Sequence, residues 1–273
     1  MTKTFTLSDG TSIPAIGFGT WQLNGEVCQQ SVETALELGY RHIDTADRYQ
    51  NHREVAAAVK ASGVAREELF ITTKIWHDQL HKDTVAASVE RFLQELETDY
   101  IDLLLIHWPN KTIPLEETLR AMEQAKASGH VKTIGVSNFT QAHLQQALAL
   151  GSPITVNQVE FHPSLNQREL RVFCEEHGIH ITAYSPIAQG QDLELEEIIT
   201  IAAAHDKTPA QVIINWLVSI GIIVIPRSTK RERMADALAA IDFTLTPAEI
   251  EAIDAIGGTN RLVNPDFNEF DLT

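Results

Sequence analysis

Leu69-Phe-Ile-Thr-Thr-Lys74, then Val85, Val89, Phe92 and Leu96 at helical spacing, then Ile101-Asp-Leu-Leu-Leu-Ile-His107: residues 69–107 read as strand, amphipathic helix, strand. The first and last runs are apolar on both faces, as strands covered on two sides are. The middle run places its apolar residues on one face. Two strands joined by a helix of this length fit a parallel βαβ unit.

The same alternation continues outward in both directions. Runs of strand character begin near Ile16, Arg41, Leu69, Ile101, Thr133, Thr155, His180 and Ile222, with helical stretches between them. Leu115, Leu119 and Met122 share one face of such a stretch. Thr208-Pro-Ala-Gln211 and Thr246-Pro-Ala-Glu249 read as capping boxes with proline at the first helical position. Thr140 is a candidate N-cap for Gln141 to Leu150, and Gly39, Gly129 and Gly178 stand where helices should stop. Ahead of the alternation, Phe5 to Ile13 reads as a β-hairpin turning at Asp9-Gly10. A parallel sheet follows from the pattern, open or closed. The count of eight, in a chain of 273 residues, favours a (β/α)8 TIM barrel as one α/β domain over residues 1–273, with the hairpin at its N-terminus.

Composition narrows the classes. Lys and Arg number 21 against 37 Asp and Glu, a formal charge of −16, which disfavours nucleic acid and anionic membrane as partners. Met1-Thr-Lys-Thr-Phe-Thr has no apolar stretch of a signal peptide, and the apolar run around Ile220 to Ile225 is too short to span a bilayer. Cys28 and Cys174 are the only cysteines, so a disulfide framework is excluded and a reducing cytoplasm is expected.

Barrel enzymes carry their chemistry at the C-terminal ends of strands. Here those ends hold Asp44, with Tyr49 in the loop after it, then Lys74, then His107. Consecutive strands would gather acid, phenol, amine and imidazole into one cluster. A free tyrosine has a pKa of about 10 and is a weak acid near neutrality. A nearby ammonium lowers that value, and a carboxylate keeps a buried lysine charged. Asp44, Lys74 and Tyr49 therefore form a sensible chain, with His107 orienting a substrate oxygen. Such a site suits proton delivery to a carbonyl oxygen.

In order along the chain stand Gly17-Phe-Gly-Thr-Trp21, His42-Ile-Asp-Thr-Ala46 with Tyr49, Thr73-Lys74, Asp102-Leu-Leu-Leu-Ile-His-Trp-Pro109, Gly135-Val-Ser-Asn-Phe139, Asn157-Gln-Val-Glu-Phe-His-Pro163, Ala183-Tyr-Ser-Pro-Ile187 and Ile225-Pro-Arg-Ser228. With this ordered set the chain resembles the aldo-keto reductase family over essentially its whole length. The resemblance implies a barrel that binds NADPH without a Rossmann domain. Accordingly, Gly17-Phe-Gly19 lacks the third glycine of a dinucleotide fingerprint, and no Walker P-loop occurs. It implies a catalytic tetrad of Asp44, Tyr49, Lys74 and His107, with hydride transfer to the carbonyl carbon and a proton from Tyr49. It also implies that Thr20 and Asp44 lie by the nicotinamide riboside, that Ser137, Asn138 and Gln158 hold the carboxamide, and that Tyr184 stacks on the ring. Ser185, Pro186 and Ile187 would line the pyrophosphate path.

After the eighth strand, Arg227-Ser-Thr-Lys-Arg-Glu-Arg233 sets four basic groups in seven residues of an acidic chain. By the resemblance, Arg227, Ser228 and Arg233 clamp the 2′-phosphate, a task that suits arginine, so NADPH is expected over NADH. Three positions depart from the family pattern: Arg227 replaces its usual lysine, His52 stands for a frequent glutamate, and Ala237 for an Asn or Gln that contacts adenine, with Asp236 beside it.

Trp21, Trp76 and Trp108 follow three strands and, with His107, are expected to wall the substrate pocket, with His77 beside Trp76. The segment Ile187 to Glu194 and the tail after Gly258 are short, which by the resemblance implies an open site for small polar substrates. The match is nearest to small bacterial members that reduce 2,5-diketo-D-gluconate to 2-keto-L-gulonate. Relatives reduce methylglyoxal and small aldehydes, and the residues themselves do not choose between these. Two other classes compete: a redox sensor that holds NADPH with little turnover, and a metal-dependent hydrolase barrel using His42, His77, His81 and His162. The complete tetrad favours a carbonyl reductase that needs no metal. The expectation is a cytoplasmic monomer whose partner is a small carbonyl compound.

Overall fold

The computed structural model describes residues 3–272. A two-stranded antiparallel hairpin, β1 (Thr4–Thr6) and β2 (Ser12–Pro14), precedes the alternating part. Its turn is where the sequence puts it: Gly10 has φ +86° and the Asp9 carboxylate accepts from the Thr11 amide at 3.1 Å.

The alternation then runs β3 (Phe18–Gly19), α1 (Gly25–Leu38), β4 (His42–Asp44), α2 (His52–Ser62), β5 (Phe70–Ile75), α3 (Lys82–Glu95), β6 (Ile101–Ile106), α4 (Leu115–Ala127), β7 (Val131–Ser137) and α5 (Gln141–Ala149). It continues with β8 (Val156–Glu160), α6 (Arg168–Glu176), β9 (His180–Tyr184), α7 (Glu196–His205), α8 (Pro209–Ser219), β10 (Ile223–Val224), α9 (Arg231–Leu238) and α10 (Pro247–Ile256). Strands β3 to β10 pair in chain order, every pair parallel. The first and last meet through the parallel bridge Ile16–Val224, with Gly17 N donating to Val224 O at 2.8 Å and Val224 N to Ala15 O at 2.9 Å. The sheet is thus the closed (β/α)8 form of the two that the sequence allows. Ile16 serves this closure rather than the body of β3, which is only two residues long.

Local signals explain the element ends. Thr208 with Gln211 and Thr246 with Glu249 form reciprocal capping boxes, and Thr140 caps α5 with His143 in the third position. Gly39 ends α1 in the left-handed region at φ +104°.

Period-two alternation sorts each strand between two cores. On β6, Leu103 and Leu105 belong to an inner cluster with Leu7, Ile13, Phe70, Val156 and Ile223, whereas Leu104 and Ile106 join the larger shell between strands and helices. The hairpin residues Leu7 and Ile13 therefore plug the N-terminal end of the barrel. The same parity carries inward from Phe70 through Thr72 to Lys74, and from His42 to Asp44. The inside is apolar at the bottom and polar at the top, where the sequence places its candidate residues.

Gly135 marks how tight the interior is. A Cβ there would stand 2.6 Å from Val156 O and 2.8 Å from Leu105 Cδ2. Backbone oxygen on a paired strand cannot swing away. Gly135→Ala should lower the unfolding free energy by about 1–3 kcal/mol, read from the urea midpoint; an unchanged midpoint would show that the interior yields there.

Candidate active site

Asp44 ends β4, Lys74 lies in β5, and His107 directly follows β6. Tyr49 closes a one-turn 3-10 helix, Asp47–Tyr49, in the loop after Asp44. Lys74 has no exposed surface. Its Nζ donates to Asp44 Oδ1 at 2.6 Å, to Thr45 O at 2.9 Å and to Tyr49 Oη at 3.3 Å. The other Asp44 oxygen accepts from Gln158 Nε2 at 2.7 Å. The His107 ring meets Tyr49 edge-on at 5.6 Å between centroids. The four residues gathered from the strand ends are one cluster.

Burial pulls the Lys74 ammonium below the ordinary lysine value, and the Asp44 carboxylate opposes that fall. One sequence expectation is corrected here: Tyr49 is not lowered by its ammonium neighbour. Burial, then the negative charge of Asp44, holds the phenol well above 10. The ammonium charge is already answered by Asp44 at shorter range, so desolvation decides. Tyr49 thus keeps its proton through the neutral range. His107 is pushed well below 6.5 by burial, then by the neighbouring Lys74, His77 and Arg48. Its Nδ1 is buried without a partner. With its proton on Nε2 the neutral ring strands no N–H at that position.

The remaining predicted residues surround this cluster. Thr20 follows β3, and its hydroxyl donates to Asp44 O at 2.9 Å. At the ends of β7, β8 and β9, Ser137 Oγ donates to Gln158 O at 2.8 Å, Asn138 Nδ2 to His107 O at 2.9 Å, and Tyr184 Oη to Asn138 Oδ1 at 2.8 Å. Ser137, Asn138 and Gln158 are buried polar groups at the barrel mouth, a donor and acceptor set that fits a primary amide. Ser185, Pro186 and Ile187 form the turn after β9, and Ser185 is a non-glycine residue at φ +49°.

The basic cluster stands apart, on the exposed segment between β10 and the first turns of α9. Arg231 pairs with Glu37 at 2.8 Å. Among the described residues, Arg227, Lys230 and Arg233 have no carboxylate within 4.0 Å. Ser228 Oγ accepts from Lys230 N at 3.0 Å, and Arg227 donates to Trp21 O at 3.2 Å. Three bases without a carboxylate partner, beside a hydroxyl, fit a doubly charged anion. Ala237 is buried in the core and offers nothing outward, while Asp236 is half-buried.

The tryptophans differ among themselves. Trp21 is 50% exposed and lies against Tyr49 at 4.9 Å between centroids, and Trp76 meets His107 at 5.1 Å. Trp108 is buried under the C-terminal tail, where Phe267 and Phe270 each lie 5.6 Å from its ring. Phe267 also stacks on His77 at 4.3 Å and 14°. The tail after Gly258 reaches the mouth, where Phe267 packs against Trp76 and His77. The sequence gives no periodic signal for this.

Asn51 escaped the sequence reading, and His52 and His162 make contacts it did not foresee. Asn51 ties the Asp44 loop to the Thr20 loop, donating to Thr20 O at 3.0 Å and Leu23 O at 2.9 Å and accepting from Thr45 Oγ1 at 2.6 Å. His52 joins Thr73 at 2.8 Å to Glu95 at 2.9 Å, so α3 supplies a carboxylate beside the position where the family often has its own. His162 lies between Glu160 and Asp192, 3.1 Å from each; burial opposes its charge, but these bonds lift its pKa above 6.5. Of the other histidines weighed as ligands, His42 faces Thr72 at 3.0 Å and His81 faces Glu117 at 3.4 Å. Both cysteines are buried, and burial pushes each thiol up to about 12.

The chain is similar to known proteins over most of its length. The family model described as Aldo/keto reductase family matches residues 15–257. A methylglyoxal reductase, DkgB, of Escherichia coli O157:H7 is 46% identical over 259 residues, covering 93% of this chain and 97% of that protein. A solved structure described as a putative 2,5-diketo-D-gluconic acid reductase B superposes with a TM-score of 0.95 at 37% identity, over 99% of this chain and 97% of that one. An aldo-keto reductase of Bombyx mori, solved in complex with NADP, gives 0.90 at 32% identity, over 97% and 95%.

The charge states can be read directly. In nitrogen NMR of the imidazoles, His107 should stay neutral through the neutral range, while His162 stays protonated above 6.5. Because folding favours neutral His107, that group adds stability above about 6.5, lost as pH falls toward its folded pKa. A His107 that titrates near 6.5 would contradict this description.

Proposed function

The chain belongs to the aldo/keto reductase family, and on that premise we propose that it reduces small polar carbonyl compounds with NADPH, 2,5-diketo-D-gluconate to 2-keto-L-gulonate first among them. The carrying observation is the contact chain from Asp44 through Lys74 to the Tyr49 oxygen, beside a neutral His107. In this reading Tyr49 holds its proton until a carbonyl oxygen is placed against it, then donates. The phenolate left behind lies 3.3 Å from the Lys74 ammonium, which stabilises it most in the dry interior. Asp44 keeps that ammonium charged. His107 donates Nε2–H to the same carbonyl oxygen and fixes its direction. Trp21 and Trp76 shield the reacting oxygen from water.

Bound NADPH would supply the hydride to the carbonyl carbon. Thr20, Asp44, Ser137, Asn138, Gln158 and Tyr184 would hold its nicotinamide end, Ser185, Pro186 and Ile187 its pyrophosphate, and Arg227, Ser228 and Arg233 its 2′-phosphate. The amide-matching set at the mouth and the three bases without a carboxylate partner support this assignment. The reading has one domain over residues 1–273, working as a cytoplasmic monomer. The alternative substrate, methylglyoxal, is supported by the 46% identical relative named for that activity.

NADPH consumption with 2,5-diketo-D-gluconate, methylglyoxal and benzaldehyde tests the reading. The sugar acid should show the highest kcat/KM. Tyr49→Phe should lower kcat at least ~100-fold, the scale of a lost general acid, while still binding NADPH. Comparable rates on all three would replace the sugar-acid assignment with a broad aldehyde reductase. Tight NADPH binding without turnover would sink the reductase and favour a sensor.

Cofactor choice has its own test. Arg233→Ala should raise the Kd for NADPH far more than that for NADH; equal losses would remove Arg233 from the phosphate site.

A further inference from the structure

Arg48 immediately precedes Tyr49, on the same 3-10 turn. Among the described residues, nine Lys and Arg side chains pair with a carboxylate within 4.0 Å. Among the described residues Arg48 has no carboxylate within 4.0 Å. Its neighbour Asp47 is committed to Arg91 at 2.8 Å. Instead the Arg48 guanidinium lies over the ring of Trp76, 5.6 Å from its centroid. Trp76 in turn meets His107 at 5.1 Å. The cation is therefore one aromatic ring away from the imidazole proposed to orient the carbonyl, on the exposed rim.

That placement has a consequence for recognition. A guanidinium held 5.6 Å over an aromatic ring still presents an N–H edge. That edge matches the two oxygens of a carboxylate. The ring also limits the rotamers of a long side chain, so less freedom is lost on binding. Arg53, Arg168, Arg227, Arg233 and Arg261 share the lack of a carboxylate partner among the described residues, but Arg48 is the one that lies over Trp76.

We propose that Arg48 is the anion anchor of the substrate site: its guanidinium binds a carboxylate carried a few carbons from the reacting carbonyl, so that anionic oxo compounds are preferred over neutral ones. This rests on the reductase reading and assigns the substrate class within it. Without such an anchor, the net charge of −16 would work against an acidic substrate at the mouth.

The test compares 4-formylbenzoate with its uncharged analogue 4-formylbenzamide, using NADPH and the wild type, Arg48→Gln and Arg48→Lys. The ratio of kcat/KM for acid over amide should fall about tenfold in Arg48→Gln, through KM, a loss equivalent to one charge-assisted contact. Arg48→Lys should keep most of it, and in the wild type the ratio should fall with added salt. Benzoate binding, followed by tryptophan fluorescence, needs no turnover and should weaken in Arg48→Gln. An unchanged ratio in Arg48→Gln, with both aldehydes reduced, would overturn the anchor and leave the reductase standing. If neither aldehyde is reduced, the reductase reading fails, and benzoate binding alone judges Arg48: equal affinity in wild type and Arg48→Gln overturns it.

Discussion

A lysine ammonium and an aspartate carboxylate lie 2.6 Å apart inside the barrel, and both are withdrawn from water. Desolvating each ion costs several kcal/mol, and their attraction offsets this only when every remaining donor and acceptor is filled. That condition governs the top of the barrel. Asp44 needs Gln158 for its second oxygen, and Lys74 needs Thr45 O and Tyr49 Oη. Strands β4, β5 and β8 and the Tyr49 loop are thereby held in register with one another. A packed apolar pair would serve stability as well. What an apolar pair could not do is hold a cation against a half-buried phenol.

The rest of the architecture supports that arrangement from several sides. Below it, hairpin residues Leu7 and Ile13 and the inner leucines of β6 fill the barrel. Outside the barrel wall, Thr73, the neighbour of Lys74, is tied through His52 to Glu95, while Arg91 joins Glu95 to Asp47 on the Tyr49 turn. At the far side, the Glu160 carboxylate accepts from the amides of Leu262 and Val263 at 2.8 and 2.9 Å. It thereby leads the tail toward the mouth, where Phe267 meets Trp76. Strands and helices fix the reacting groups, and loops and tail shape what can reach them.

Much of this was legible in the chain. Each expected strand start lies within two residues of an observed strand, because parallel strands covered on both faces read as continuous apolar runs. Asp44, Lys74 and His107 were visible because polar groups end such runs. Contacts between distant segments were not visible. His52 and Glu95 are 43 residues apart, and no local pattern pairs them. The tail carries no periodicity, so the seating of Phe267 on His77 emerges only in three dimensions. The direction of the Tyr49 pKa is hidden from the sequence for a related reason. The sequence shows which charges are near, but the outcome turns on burial. Arg48 escaped notice as one charge among many, and the absence of a nearby carboxylate is a property of the fold.

The central claim is that Asp44 keeps Lys74 charged in the barrel interior despite its burial. The nitrogen chemical shift of Lys74 Nζ at neutral pH reads that charge most directly, with Asp44→Asn as the reference. The account predicts an ammonium in the wild type and a neutral amine once the carboxylate is removed. A neutral amine in the wild type would contradict it.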